Sequence, residues 1–235
     1  MESSARSIAA FNPVPWKTRD VWLGLASAIA LTVVATAAWF FLAPEPFASD
    51  IAPVATFGTP LVIPVVWLFG PRKYGVRWDT LGLRAAARNS FGLSCGTLAA
   101  VYILAAWNLA CLLLLRIPIE PAATVAVAST RWPAWLLAAG VVAAPISEEL
   151  LFRGFAFAGL QARYGWKRAA LLTSLVFAVA HLQPAAIVVL FGAGFLLSML
   201  YYRTNSLWPG VIVHAAINGI GLVAAIYLPS ETGLS

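Results

Sequence analysis

Charge is what this chain has least of. Of its 235 residues only 10% are Asp, Glu, Lys or Arg while 61% are hydrophobic, and the mean hydropathy of +0.86 lies far outside the range of water-soluble domains. Cysteine is nearly absent: Cys95 and Cys111 share one apolar stretch without metal-ligand spacing, which excludes a disulfide framework or a thiolate zinc site and leaves two small lipid-compatible side chains. Histidine occurs only twice, and the HExxH pattern of helical zinc hydrolases is missing. No internal repeat or low-complexity tract interrupts the chain, and its polar first twenty residues followed by a long apolar run do not read as a cleavable leader. The formal charge of +6 is spread over short clusters between apolar runs, so it marks membrane topology and gives no nucleic-acid footprint.

What is present is a series of long apolar runs. A helix crossing hydrocarbon needs about 20 apolar residues. That length divides the chain into approximately seven spans: 21–43, 51–70, 91–115, 132–161, 169–183, 185–202 and 207–228. The expected fold is an all-α polytopic transmembrane bundle. The fourth span exceeds the required length, and Gly140 and Pro145 permit a bend there. The fifth should end in a turn at Pro184. With seven spans, Arg6, Lys17, Arg19, the cluster from Arg72 to Arg88, Arg163, Lys167, Arg168 and Arg203 all fall on one side, which places the N-terminus in the cytoplasm and the C-terminus outside. The segment 71–90 is basic and amphipathic and reads either as lying on the membrane surface or as a solvated loop. Residues 1–20 form the cytoplasmic N-terminal segment, 21–130 the first helices and the amphipathic loop, 131–228 the second part of the membrane bundle, and 229–235 a tail.

Against this background the run PISEELLFRGF, 145–155, stands out for two acids and an arginine among apolar residues. Charge in hydrocarbon costs about 2.5–3.5 kcal/mol per residue on insertion scales, so such groups mark function or structural pairing. Glu149 and Arg153 are at i and i+4, acid first, the favoured ion-pair order, which would hold Glu149 rigid and leave Glu148, about 100° around the helix, without an intrahelical partner. His181 follows Phe177 by one turn, and His214 precedes Asn218 by one turn. Measured from the cytoplasmic ends of their helices, Glu148, His181, His214 and Asn218 lie roughly 20, 18, 10 and 16 Å deep. Three helices therefore point to one polar cluster. A carboxylate in an apolar site is a stronger base than in water, a neighbouring histidine helps orient and deprotonate a water, and a His–Asn pair on one face suits an oxyanion. Each residue also has a plain structural use: an ion pair locking helices, a core histidine, an amide bridging two helices. A proton-coupled transporter would use buried Glu and His too, but the chain shows no inverted repeat.

The three motifs EELLFR (148–153), FAVAH (177–181) and HAAIN (214–218) resemble the EExxxR, FxxxH and HxxxN/B motifs of the type II CAAX prenyl endopeptidase family, also called CPBP or Abi, over about residues 141–223. The resemblance implies an intramembrane endopeptidase. In it Glu148 and His181 activate the hydrolytic water, His214 and Asn218 stabilise the oxyanion, and Glu149 and Arg153 support the site. It implies a peptide or membrane-anchored protein as substrate, in a bacterial inner membrane. Relatives also suggest processing of C-terminal sorting tails, or a non-proteolytic bacteriocin-immunity or scaffold role. No cofactor is expected; the alternative is zinc held by Glu148, His181 and His214.

Overall fold

The computed structural model describes residues 13–43, 58–87, 89–117, 122–130 and 133–227. Among these every regular element is helical, as the apolar runs require, because in hydrocarbon a lone segment can satisfy its own backbone only as a helix. Helix α1 spans Thr18–Leu42. A 3-10 turn (Thr59–Leu61), the short α2 (Val62–Trp67) and a π-helical turn (Leu68–Arg72) follow one another directly. Then come α3 (Ser90–Leu114) and α4 (Ala122–Ser129). The next stretch is nearly continuous: α5 (Pro133–Ala138), a π turn (Ala139–Ala143), α6 (Ala144–Glu149), a longer π segment (Leu150–Phe157) and α7 (Ala158–Ala180). The chain closes with α8 (Ile187–Thr204) and α9 (Trp208–Tyr227).

Among the described residues five helical stretches are long and apolar enough to cross a membrane. One of them, Ala134–Ala180, runs for 47 residues and holds both the fourth and the fifth expected spans. Gly165 divides it, with φ 75° and ψ 159°, a conformation that glycine adopts without a Cβ clash. The break falls between Arg163 and Lys167, so two helices meet across a kink at the anticipated polar turn. The second expected span begins outside the described residues, at 51–57, and the rest of it is the pieced helix from Thr59 to Arg72. Along α1 and α3 large apolar side chains face outward, Val34 at 64% exposure, Phe41 at 87% and Leu114 at 82%. Such faces require hydrocarbon around them, and the protein is an integral membrane protein.

The π segment Leu150–Phe157 is the central post, since every one of its residues is buried. The N-terminal helices are built onto it. The Trp16 indole Nε1 donates to the Phe155 carbonyl at 2.9 Å, and the two rings stack at 5.7 Å. Gly24 lets α1 approach this post, as a Cβ there would lie 2.6 Å from the Phe155 ring, and Gly70 faces the same ring from the other side. The segment 71–90 is neither a free loop nor one merely resting on a surface. Its Leu81 is fully buried, and its backbone is bolted to the ends of α8 and α9 by three bonds: Tyr201 Oη to the Leu81 carbonyl (3.1 Å), Leu207 N to the Gly82 carbonyl (2.9 Å) and Ser206 Oγ to the Arg84 carbonyl (2.7 Å). Asp20, which sequence reading passed over, is almost fully buried near the start of α1 and accepts from the Lys17 N–H, Lys73 Nζ and the Tyr74 hydroxyl. This cluster ties α1 to the chain just beyond the second helical stretch. Only long-range contact reveals it, because Asp20 and Tyr74 are far apart in sequence.

Candidate active site

The three motifs come together at the junction of the central post with α7, α8 and α9. Local backbone geometry prepares the junction. In the π turn ahead of α6 the Ala144 N–H bonds to the Ala139 carbonyl, one residue further back than in an α-helix. The next donor in that register would be Pro145, which has no N–H. The Gly140 carbonyl is therefore left over, and Asn218 Nδ2 donates to it at 2.8 Å. Gly140 also admits α9 closely: a Cβ there would lie 2.8 Å from Leu222. Proline and glycine, read in the sequence as permission to bend, flank a π turn here and also leave an acceptor that places Asn218.

Glu149 and Arg153 form the expected i,i+4 pair, Oε1 to Nη1 at 2.6 Å, with both side chains buried. Arg153 does more than neutralise the acid. Its Nη2 donates to the Gly194 carbonyl on α8 at 3.1 Å, and its guanidinium lies 4.9 Å from the centre of the Phe177 ring. On the other side Gly210, in the first turn of α9, packs against the Glu149 carboxylate so closely that a Cβ would lie 2.8 Å from Oε2. The positive end of the α9 dipole therefore adds to Arg153 in balancing the buried acid.

Glu149 has a second role. Its Oε1 lies 3.0 Å from His214 Nδ1. A carboxylate only accepts, so Nδ1 carries a hydrogen and, in the neutral ring, Nε2 presents a lone pair. His181 is fixed in the same way: its Nδ1 lies 2.7 Å from the Phe177 carbonyl, and the Phe177 ring packs 4.4 Å from the imidazole. Phe177 thus packs on the imidazole and also orients it through its backbone. Both bare Nε2 atoms face Glu148 Oε2, from 3.8 Å for His214 and 3.9 Å for His181. That oxygen is buried and has no hydrogen-bond partner. Glu148 as a whole is one-fifth exposed and His181 about one-quarter, so the cluster is open on one side.

Three acceptors converge, and none of them carries a hydrogen to offer the others. Such an arrangement is completed by a species that donates: a water, a proton or a cation. In type the two imidazoles and the carboxylate match a zinc set, with Glu149 behind His214 as an outer partner. Among the described residues, however, no three His, Cys, Asp or Glu side chains are gathered closely enough to hold a metal ion. His214 and Asn218 share a face of α9 as expected, but one Asn218 hydrogen is spent on Gly140 and its second remains. His214 can donate through Nε2 only once that atom has taken up a proton.

A membrane-embedded helical bundle with a buried Glu–Arg pair, a free carboxylate and two histidines on separate helices is the class that this site defines. Comparison places it further. Residues 130–220 match the family model "Type II CAAX prenyl endopeptidase Rce1-like", which bears out, for that segment, the resemblance carried by the three motifs. The "Putative membrane peptidase YdiL" of Bacillus subtilis (strain 168) is 28% identical over 86 residues, covering 37% of this chain and 35% of that protein. The "Uncharacterized 24.3 kDa protein" of Escherichia coli is 33% identical over 116 residues, covering 46% of this chain and 54% of that one. The chain thus spans about a third and about half of the lengths of these curated relatives. No solved structure matches.

Proposed function

We propose that the chain is an intramembrane endopeptidase that hydrolyses a peptide bond near the membrane, in a peptide or membrane-anchored protein, with water activated by Glu148 and no metal. The observation carrying this reading is the convergence of Glu148 Oε2 with two imidazole lone pairs around a position that only a hydrogen-bearing species completes. A water there donates to Glu148 and to His181. As its oxygen attacks the scissile carbonyl carbon, its proton passes to Glu148. The carbonyl becomes a tetrahedral oxyanion, stabilised by the free Asn218 hydrogen and, when its Nε2 carries a proton, by His214. When the C–N bond breaks, Glu148 gives its proton to the leaving amine and returns to a carboxylate. The partial exposure of Glu148 and His181 is consistent with a substrate reaching these groups while Glu149 and Arg153 stay buried. In the same reading the N-terminus and the basic turns face the cytoplasm of a bacterial inner membrane.

The test is quantitative membrane proteomics in a strain deleted for the chain and complemented with wild type or with Glu148→Gln. A new protein terminus should appear with wild type alone, while both proteins accumulate equally in the membrane. If Glu148→Gln restored every wild-type effect, hydrolysis would be ruled out and a scaffold or immunity role would stand instead.

A further inference from the structure

A groove of about 460 Å³, lined by none of the acceptor-cluster residues, opens where α1 begins, beside the last turn before Gly165. Its floor is Gly159, where a Cβ would strike the Trp16 ring at 2.7 Å. The Trp16 indole forms one wall and is held by its bond to Phe155. Around the rim stand three cations, Lys17, Arg19 and Arg163, and among the described residues no carboxylate lines the space. All three side chains are exposed, and none forms an ion pair with a described residue. The one acid nearby in sequence, Asp20, is turned inward and saturated by Lys73, Tyr74 and the Lys17 N–H. Three cations around a cavity, with no compensating charge among the described residues, attract an anion.

Immediately along α1 the surface changes from basic to apolar, with Trp22 at 39%, Leu23 at 44% and Ile29 at 47% exposure. A ligand that suits both faces carries an anionic head and hydrocarbon tails. We infer that this groove binds the phosphate of an anionic phospholipid, with the acyl chains lying against the exposed face of α1. Basic recesses between membrane helices are recognised sites for such head groups. Free phosphate shares the head-group chemistry but makes no use of the adjoining apolar face, so the lipid is the occupant proposed. The site is independent of the hydrolytic reading, and its test does not depend on catalysis.

The full chain, purified in neutral detergent, is titrated with phosphatidylglycerol, phosphatidylcholine or inorganic phosphate, and bound adducts are counted by native mass spectrometry alongside thermal unfolding. Phosphatidylglycerol should bind and raise the unfolding temperature, and the other two should do neither at equal concentration. Removing two charges with Arg19→Gln and Arg163→Gln should weaken phosphatidylglycerol binding about thirtyfold, at about fivefold per cation. Arg203→Gln, which removes a cation outside the groove, should leave it unchanged. Ala162→Glu, placing a negative charge on the exposed rim, should weaken binding even if the double variant does not fold. Equal binding of phosphatidylcholine, competition by inorganic phosphate at equal concentration, or undiminished binding in Ala162→Glu would each overturn the proposal.

Discussion

Replacing Glu149 by glutamine separates two tasks that this side chain performs at once. The substitution keeps the shape but removes the charge that faces Arg153 across 2.6 Å, with both side chains buried. Breaking a buried ion pair from one side costs about 3–5 kcal/mol, because the remaining charge is stranded. The amide oxygen of glutamine still accepts a hydrogen bond and the Gly194 carbonyl still takes one from Arg153, so the lower end applies. A loss of about 3 kcal/mol in a chain of this size corresponds to a fall of about 6–12 °C in melting temperature. Activity should fall as well, by about 10- to 100-fold, because an amide can present its oxygen or its NH2 to His214 Nδ1 and so no longer fixes one tautomer. The informative partner is the double variant Glu149→Gln with Arg153→Met. It removes the stranded charge, so most of the lost melting temperature should return, while turnover stays low because the amide at 149 still fixes no single His214 tautomer. Both are read on purified protein by differential scanning fluorimetry and by cleavage of a substrate found in the proteomic comparison. An unchanged melting temperature in Glu149→Gln would refute the buried-pair energetics. Full activity in the double variant would show that His214 does not depend on Glu149.

Two further outcomes follow from the same geometry. The purified chain should hold far less than stoichiometric zinc and keep its activity through prolonged chelation; near-stoichiometric zinc that disappears in His181→Ala would instead make Glu148, His181 and His214 ligands and replace the glutamate mechanism. A reporter fused after Ser235 should be extracytoplasmic and one inserted between Arg163 and Arg168 cytoplasmic, and a cytoplasmic C-terminus would break the seven-span arrangement.

Much of the site was readable from spacing because a helix turns local sequence into a face. Glu149 with Arg153, Phe177 with His181 and His214 with Asn218 each share a face by periodicity alone, and the structure shows the first pair bonded and His181 held by the Phe177 backbone. The bond between Glu149 and His214 was not readable, since it joins residues 65 positions apart, and it gives Glu149 a role that the i,i+4 pairing does not hint at. Nor was the assignment of Asn218 to the Gly140 carbonyl, which needs the π register to put Pro145 in the donor position. Hydropathy found the apolar runs well, and the division it predicted between the fourth and fifth spans falls at Gly165, where two helices meet across a kink.

The ring of Phe155 bears on how the chain could be divided or recombined. It lies inside the segment matched to the family, 130–220, but its cover comes from Trp16, Gly24 and Gly70, all outside that segment. The motif-bearing part is therefore not a transplantable module: cut out along the family boundary, it would carry an uncovered aromatic face into the bilayer. A chimera that kept 130–220 and borrowed its first helices from elsewhere would have to supply a glycine opposite this ring, since a methyl group at position 24 already lies within 2.6 Å of it. The leading third of the chain carries no recognisable motif, yet it acts as the mould in which the motif-bearing helix is set.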